Sequence, residues 1–137
     1  MVLTEKVGIK VRFSEVDMMK VVWHGSYAKY LEDAREAFGE KYGLTYEGYL
    51  EHACYAPIVD MQIQYRKPLR YGSKAYVSIS YQPTEAAKII FHYEIRDYED
   101  DSLCCRATTV QVFMDMDYQL LFSNPDFFEE WKRKWQQ

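Results

Sequence analysis

No apolar run in the chain comes near the roughly 20 residues that a bilayer-spanning helix needs. The opening Met1-Val2-Leu3-Thr4-Glu5-Lys6 also lacks the charged segment, apolar core and small-residue cleavage site of a secretory signal. A soluble, cytoplasmic protein is expected. Zinc spacing is missing as well: Cys54 and the adjacent Cys104 and Cys105 fit no paired pattern, and 3 cysteines are an odd number for disulfides. Reduced cysteines in strands or loops are expected in such a compartment. There is no basic excess, with 17 Lys and Arg against 21 Asp and Glu. That argues against a nucleic-acid partner, whose phosphates demand a broad basic surface, whereas a small anionic ligand needs only a local cluster. No internal repeat or low-complexity tract is visible. With 137 residues, 48% of them apolar, the chain can build one core and has no room for a second domain.

What is present is aromatic weight and clear periodicity. Aromatic residues make up 17% of the chain, 13 of them Tyr. From Thr4 to Phe13, Val7, Ile9, Val11 and Phe13 alternate with Lys6, Gly8, Lys10 and Arg12, the period of a half-buried strand. After an irregular stretch from Ser14 to Gly25, residues Tyr27, Tyr30, Leu31, Ala34, Phe38 and Tyr42 recur at helical spacing. The spacing predicts a long helix from Ser26 to Tyr42, capped by Ser26 or Gly25 and ended by Gly43. A short connection from Tyr46 to His52, with room for a helical turn, precedes four strand-like segments, 56–65, 74–82, 88–98 and 103–115. The short breaks between them imply consecutive antiparallel pairings. Beyond Asn124-Pro125, Phe127, Phe128, Trp131 and Trp135 predict a terminal helix with an aromatic face, expected to pack on its own sheet or a neighbouring subunit. The class is α+β: an antiparallel sheet of about five strands wrapped around one long helix. Its uncovered edges favour a dimer or higher assembly.

The least ordinary stretch is Val11-Arg12-Phe13-Ser14-Glu15-Val16-Asp17-Met18-Met19-Lys20-Val21-Val22-Trp23-His24-Gly25-Ser26-Tyr27. It sets a carboxylate beside a helix amino terminus, where unpaired N–H groups and the positive end of the macrodipole stabilise an oxygen acquiring charge. Thioester hydrolysis needs both parts, a carboxylate to activate water or attack the carbonyl and donors for the oxyanion. An Asp before a helix is, taken alone, usually a turn-former or cap.

The segment resembles the motif of the 4-hydroxybenzoyl-CoA thioesterase-like hotdog family, particularly its bacterial Tol-Pal-associated acyl-CoA thioesterase branch. Arg12, Phe13, Glu15, Asp17, Val21, Val22, Trp23, His24, Ser26 and Tyr27 fill the pattern, and Glu32, Ala34 and Arg35 continue it. Ala56-Pro57-Ile58-Val59, Tyr65-Arg66-Lys67-Pro68-Leu69 and Asn124-Pro125 look like later family features, so the resemblance spans nearly the whole chain. It implies a hotdog fold and an acyl-CoA thioesterase acting as a homodimer or homotetramer, with no cofactor beyond the coenzyme A of the substrate and no metal. Asp17 matches the catalytic carboxylate, and His24 the residue whose backbone N–H polarises the thioester carbonyl.

Trp23, Tyr27, Tyr65, Arg66, Lys67 and Lys88 are the candidate substrate-binding residues, with Arg70 and Lys74 as further phosphate partners. Glu15 is expected to be structural or supporting, pointing the same way as Asp17 on strand parity. Lys20 stands where many relatives have Gly, and Met18 and Met19 replace smaller residues, which puts loop turn and acyl pocket in question. Two other readings compete: a hotdog hydratase or dehydratase, and a non-catalytic acyl-CoA binding protein.

Overall fold

A computed structural model describes residues 1–137. The five strands are β1 (Thr4–Lys10), β2 (Ile58–Tyr65), β3 (Lys74–Gln82), β4 (Lys88–Asp97) and β5 (Leu103–Val112). They form one antiparallel sheet in the order β1-β3-β4-β5-β2. Helix α1 (Tyr27–Tyr42) lies across it, followed by the short α2 (Tyr46–Glu51) and, at the end of the chain, α3 (Asp126–Trp135). This is the expected α+β architecture.

Helix α1 is held by the face that its sequence spacing marked. Tyr27, Tyr30, Leu31, Ala34 and Phe38 are buried, while Lys29, Glu32, Asp33 and Glu36 are exposed. Each large apolar side chain withdrawn from water in this way contributes about 1.5–3 kcal/mol. Phe38 meets Phe91 of β4 edge-on at 4.9 Å. The helix stops at Gly43, which takes the left-handed conformation at φ 92° and donates its N–H to Gly39 O. Trp131 and Trp135 of α3 both donate their indole N–H to Tyr42 O, at 2.8 and 2.9 Å. The aromatic face of α3 therefore packs within its own chain: Phe128 and Trp131 are buried, against Phe113 and Tyr81.

Three expectations are corrected. The first strand ends at Lys10, not Phe13, because Phe13–Glu15 winds into a single 3₁₀ turn and leaves Phe13 81% exposed. Ser26 holds the N-cap position of α1 but its side chain makes no capping bond: a 3₁₀ turn at His24–Ser26 precedes the helix, and the Ser26 hydroxyl donates instead to Glu15 O at 3.1 Å. The pairings are not all consecutive either, since β2 pairs with β5 and β3 lies on the far side of β4. The 66–73 segment is a crossover. Its eight residues can reach about 26 Å, against about 14 Å for three strand spacings. Its ends are occupied elsewhere: the amides of Arg66 and Lys67 donate to Cys104 O, and Leu69 O accepts from Val22. No helix is long and apolar enough to cross a membrane.

Candidate functional site

Between β1 and α1 the chain folds into a small irregular hairpin. Trp23 N donates to Glu15 O at 2.8 Å, Val16 and Val22 form a bridge, and Asp17 N donates to Val21 O at 2.9 Å. The turn between Asp17 and Val21 is closed by Lys20 N to Asp17 O at 3.0 Å and by Met19 N to the Asp17 Oδ1 at 2.8 Å. An Asp side chain accepting from the amide two residues on is the Asx turn that this residue type favours. Asp17 is half-buried, and Met19 is the one protein donor its carboxylate takes, which leaves the second oxygen open. Lys20 adopts φ 65°, a left-handed conformation that glycine would take without cost. The turn is thus kept despite the Lys. Met18 and Met19, 100% and 75% exposed, line neither of the two main cavities.

The hairpin is fastened on two sides. Val22 N donates to Leu69 O at 2.7 Å and Val21 bridges to Arg70, which lays the crossover segment beside it. Toward α1, the Glu15 carboxylate is buried and accepts from Arg12 N at 2.8 Å, Lys29 Nζ at 3.0 Å and the Tyr30 hydroxyl at 2.9 Å. Burial alone raises its pKa, but these bonds outweigh that and hold it below the ordinary value. Glu15 and Asp17 therefore do not share a strand face, as parity suggested, because the 3₁₀ turn rotates Glu15 toward the helix.

At the helix start the amides of His24 and Gly25 are the first donors of the helical run and have no partner inside it. None of the backbone hydrogen bonds outside the regular elements uses them either. The Trp23 ring lies over Gly25, so closely that a Cβ there would stand 2.3 Å from the indole, and it meets the His24 ring at 5.0 Å. From the end of β2, the Tyr65 hydroxyl donates to His24 O at 2.8 Å while its ring meets Tyr27 edge-on at 4.9 Å. A cleft of about 200 Å³ results, lined by Val22, His24, Tyr27, Tyr65, Arg66, Lys67 and Pro68. Burial, then the nearby Cys105, pushes the Tyr27 phenol up to about 12, so it stays a protonated donor.

The fold is that of a large set of solved structures, and a family model describes residues 11–132. The chain belongs to the thioesterase-like superfamily. Among relatives in this superfamily, "Putative acyl-CoA thioesterase YneP" of Bacillus subtilis (strain 168) is 31% identical over 110 residues, 80% of this chain and 79% of that protein. The DHNA-CoA thioesterase of Staphylococcus aureus superposes with a TM-score of 0.86 at 25% identity, covering 97% of this chain and 91% of its own. Slr0204, a 1,4-dihydroxy-2-naphthoyl-CoA thioesterase from Synechocystis, shares the fold with a TM-score of 0.84 at 18% identity, 98% of each chain being covered. The helix wrapped by the sheet is thus the hotdog fold.

Six of the residues singled out in the sequence meet in this part of the superfamily fold. His24, Tyr27, Tyr65, Arg66 and Lys67 line the cleft, and Trp23 covers the helix start. Asp17 lies on the adjoining hairpin, outside the cleft lining. Lys67 is already engaged, by Asp100 at 3.2 Å, Ser102 at 2.8 Å and Asp97 at 3.7 Å. Arg66 bonds only the neutral Gln64 side chain and keeps its charge available. Lys88 stands apart: it pairs with Val112 on β5, whereas Tyr65 pairs with Cys105. Seven residues of strand separate them, about 23 Å.

Sequence reasoning missed a cavity of about 770 Å³, whose lining includes Glu32, Arg35, Tyr46, Tyr49, Tyr55 and Tyr118. It also missed Lys29 and Tyr30 as holders of Glu15, since Tyr30 read only as a core residue. Nowhere do three or more His, Cys, Asp or Glu side chains converge as a metal site requires.

Proposed function

We propose that this chain hydrolyses acyl-CoA thioesters to the free acid and coenzyme A, with Asp17 as general base or nucleophile. The observation that carries this reading is the hairpin that joins a half-buried carboxylate with an open oxygen to the unpartnered amides opening α1. In the base route, Asp17 takes a proton from water as the oxygen adds to the thioester carbonyl, and the His24 amide receives the oxyanion. Collapse breaks the C–S bond, and the thiolate leaves and is protonated. As nucleophile, Asp17 forms an anhydride that water then opens, with the same products. The names of the relatives, acyl-CoA and DHNA-CoA thioesterases, support the thioester-hydrolase class. The finer placement, in the 4-hydroxybenzoyl-CoA and Tol-Pal-associated group, rests on the Asp17 to Tyr27 motif. Coenzyme A enters only as part of the substrate, with Arg66 the freest phosphate partner. The three buried free cysteines suit a cytoplasmic setting.

The active assembly in this reading is a homodimer. Strand β2 ends the sheet with one edge unpaired and with Val59 and Tyr65 half-exposed, an edge that favours pairing with a second copy. An antiparallel β2–β2 pairing would set the Tyr65 end of one strand beside the Ile58 end of the other. The large cavity, which Ile58 lines, would then adjoin the His24 cleft of the second copy.

The test is Asp17→Asn against a panel of aromatic and aliphatic acyl-CoAs, read by thiol release. Turnover should fall on the order of 100-fold or more with the fold intact, the scale of general-base catalysis. Near-wild-type rates would remove Asp17 from the mechanism. Water addition to an enoyl-CoA without thiol release would instead favour a hydratase.

A further inference from the structure

Glu15 is a buried carboxylate for which the hydrolysis above has no use. It is 4% exposed, and a charge so withdrawn from water survives only where donors replace its hydration. It has them from two directions: Arg12 N in its own turn, and Lys29 Nζ and the Tyr30 hydroxyl on the first turn of α1. The backbone carbonyl of the same residue accepts from Trp23 N at 2.8 Å and from the Ser26 hydroxyl at 3.1 Å. One residue thus ties the 3₁₀ turn, the hairpin arm that returns to His24, and the face of the helix whose start carries the open amides. Asp17 lies two residues further along the arm that Glu15 anchors.

We infer that Glu15 is a positioning residue: it sets the distance between the Asp17 carboxylate and the His24 amide, and so governs turnover without touching substrate. This rests on the acyl-CoA thioesterase reading. The alternative is that Glu15 merely stabilises the fold, in which case its loss would act on every property together. A carboxylate and an oxyanion donor must be placed to within a fraction of an ångström, and a misplacement of about 1 Å can cost on the order of 100-fold. The lever is long enough, because the carbonyl that receives Trp23 N moves with the side chain that locks residue 15 to α1.

The experiment compares Glu15→Ala, Glu15→Gln and Lys29→Met. In Glu15→Ala, kcat should drop on the order of 10- to 100-fold, KM and the affinity for a nonhydrolysable acyl-CoA analogue staying within about 3-fold. Glu15→Gln should recover most of kcat, since its amide oxygen still accepts from Arg12 N or Tyr30. Lys29→Met, which removes a donor from a half-exposed side chain, should fall between and keeps the test open if the Ala variant does not fold. Amide hydrogen exchange at Trp23, whose N–H donates to Glu15 O, should quicken at least about 10-fold in Glu15→Ala while the β4 amides stay protected. Unchanged kcat and unchanged exchange would overturn the inference, as would a uniform loss of kcat, KM and protection across the sheet. If the wild-type protein releases no thiol from any acyl-CoA, the hydrolase reading fails, and the exchange measurement still decides whether Glu15 holds the hairpin.

Discussion

A methyl group added at residue 25 would separate what the helix start needs for stability from what it needs for binding. In Gly25→Ala the new Cβ stands 2.3, 2.5 and 2.8 Å from three ring atoms of Trp23, so something must move. The obstacle is the far end of a side chain already 50% exposed, which can swing outward without shifting backbone. Releasing roughly 40 Å² of ring contact costs about 1 kcal/mol, and the gain of Ala over Gly in a helical turn offsets about 0.5–1 kcal/mol of it. The net change in stability should stay within about 1 kcal/mol.

Gly43→Ala is the internal control. Nothing lies within 4 Å of its Cβ, but φ is 92°, so the cost is purely conformational. That cost is about 1–2 kcal/mol, a fall in Tm of about 3–6 °C for a chain of this size. Thermal unfolding followed by circular dichroism should therefore rank Gly43→Ala as the weaker fold. Near-UV dichroism and acyl-CoA kinetics should rank them the other way, with an altered tryptophan signal and a raised KM only in Gly25→Ala. A Gly25→Ala protein that melts below Gly43→Ala, or that keeps both the tryptophan signal and KM of the wild type, would refute the argument.

Three further predictions use other parts of the molecule. The Glu15 carboxyl is held below its ordinary value near 4.5, so its stabilisation is complete above that pH and is lost as pH falls through the lower folded value. The Tm gap between wild type and Glu15→Gln should accordingly be widest from about pH 5 upward and close in stronger acid, and a gap that widens on acidification would contradict the assignment. Because Trp131 and Trp135 share Tyr42 O, either indole alone keeps that carbonyl satisfied. Trp131→Phe and Trp135→Phe should then cost less in sum than the double variant, by about 1 kcal/mol in a chemical-denaturation cycle, and strict additivity would count against it. Burial pushes all three thiols up, Cys105 to about 12 with help from Cys104. The native protein should leave a thiol-reactive chromogen unreacted until denatured, and rapid labelling of the folded protein would show the cysteines to be accessible.

The local elements were legible because their causes are local. The three- and four-residue spacing of Tyr27, Tyr30, Leu31, Ala34 and Phe38 can bury only one face of a helix, and Gly43 suits a left-handed stop wherever that helix lies. The strand periods of β3, β4 and β5 followed from alternation, and the meeting of Trp23, His24, Tyr27, Tyr65 and Arg66 was accessible through the motif. The strand order was not. Pairing β2 with β5 rather than β3 goes with contacts between segments remote in sequence, such as those of Cys104 O and Leu69 O, and alternation is silent about which edge a strand joins.

The same limit applied to charge. Lys67 and Arg66 are neighbours with one sign, yet only the fold sets Asp97 and Asp100 against Lys67 and leaves Arg66 open. Lys88 was named beside them as a phosphate partner, and only the register shows that within one chain it lies at the other end of the sheet from Tyr65. Glu15 is the clearest case: a supporting role was expected of it, but strand parity pointed it the same way as Asp17, whereas a 3₁₀ turn and the donors of a helix fourteen residues on turned it inward. Sequence alone determined which segments bury a face and which residue types the chemistry requires. Distances between groups remote in sequence, and hence which charges stay free, came only from packing, because hydrogen bonds across the fold are settled collectively.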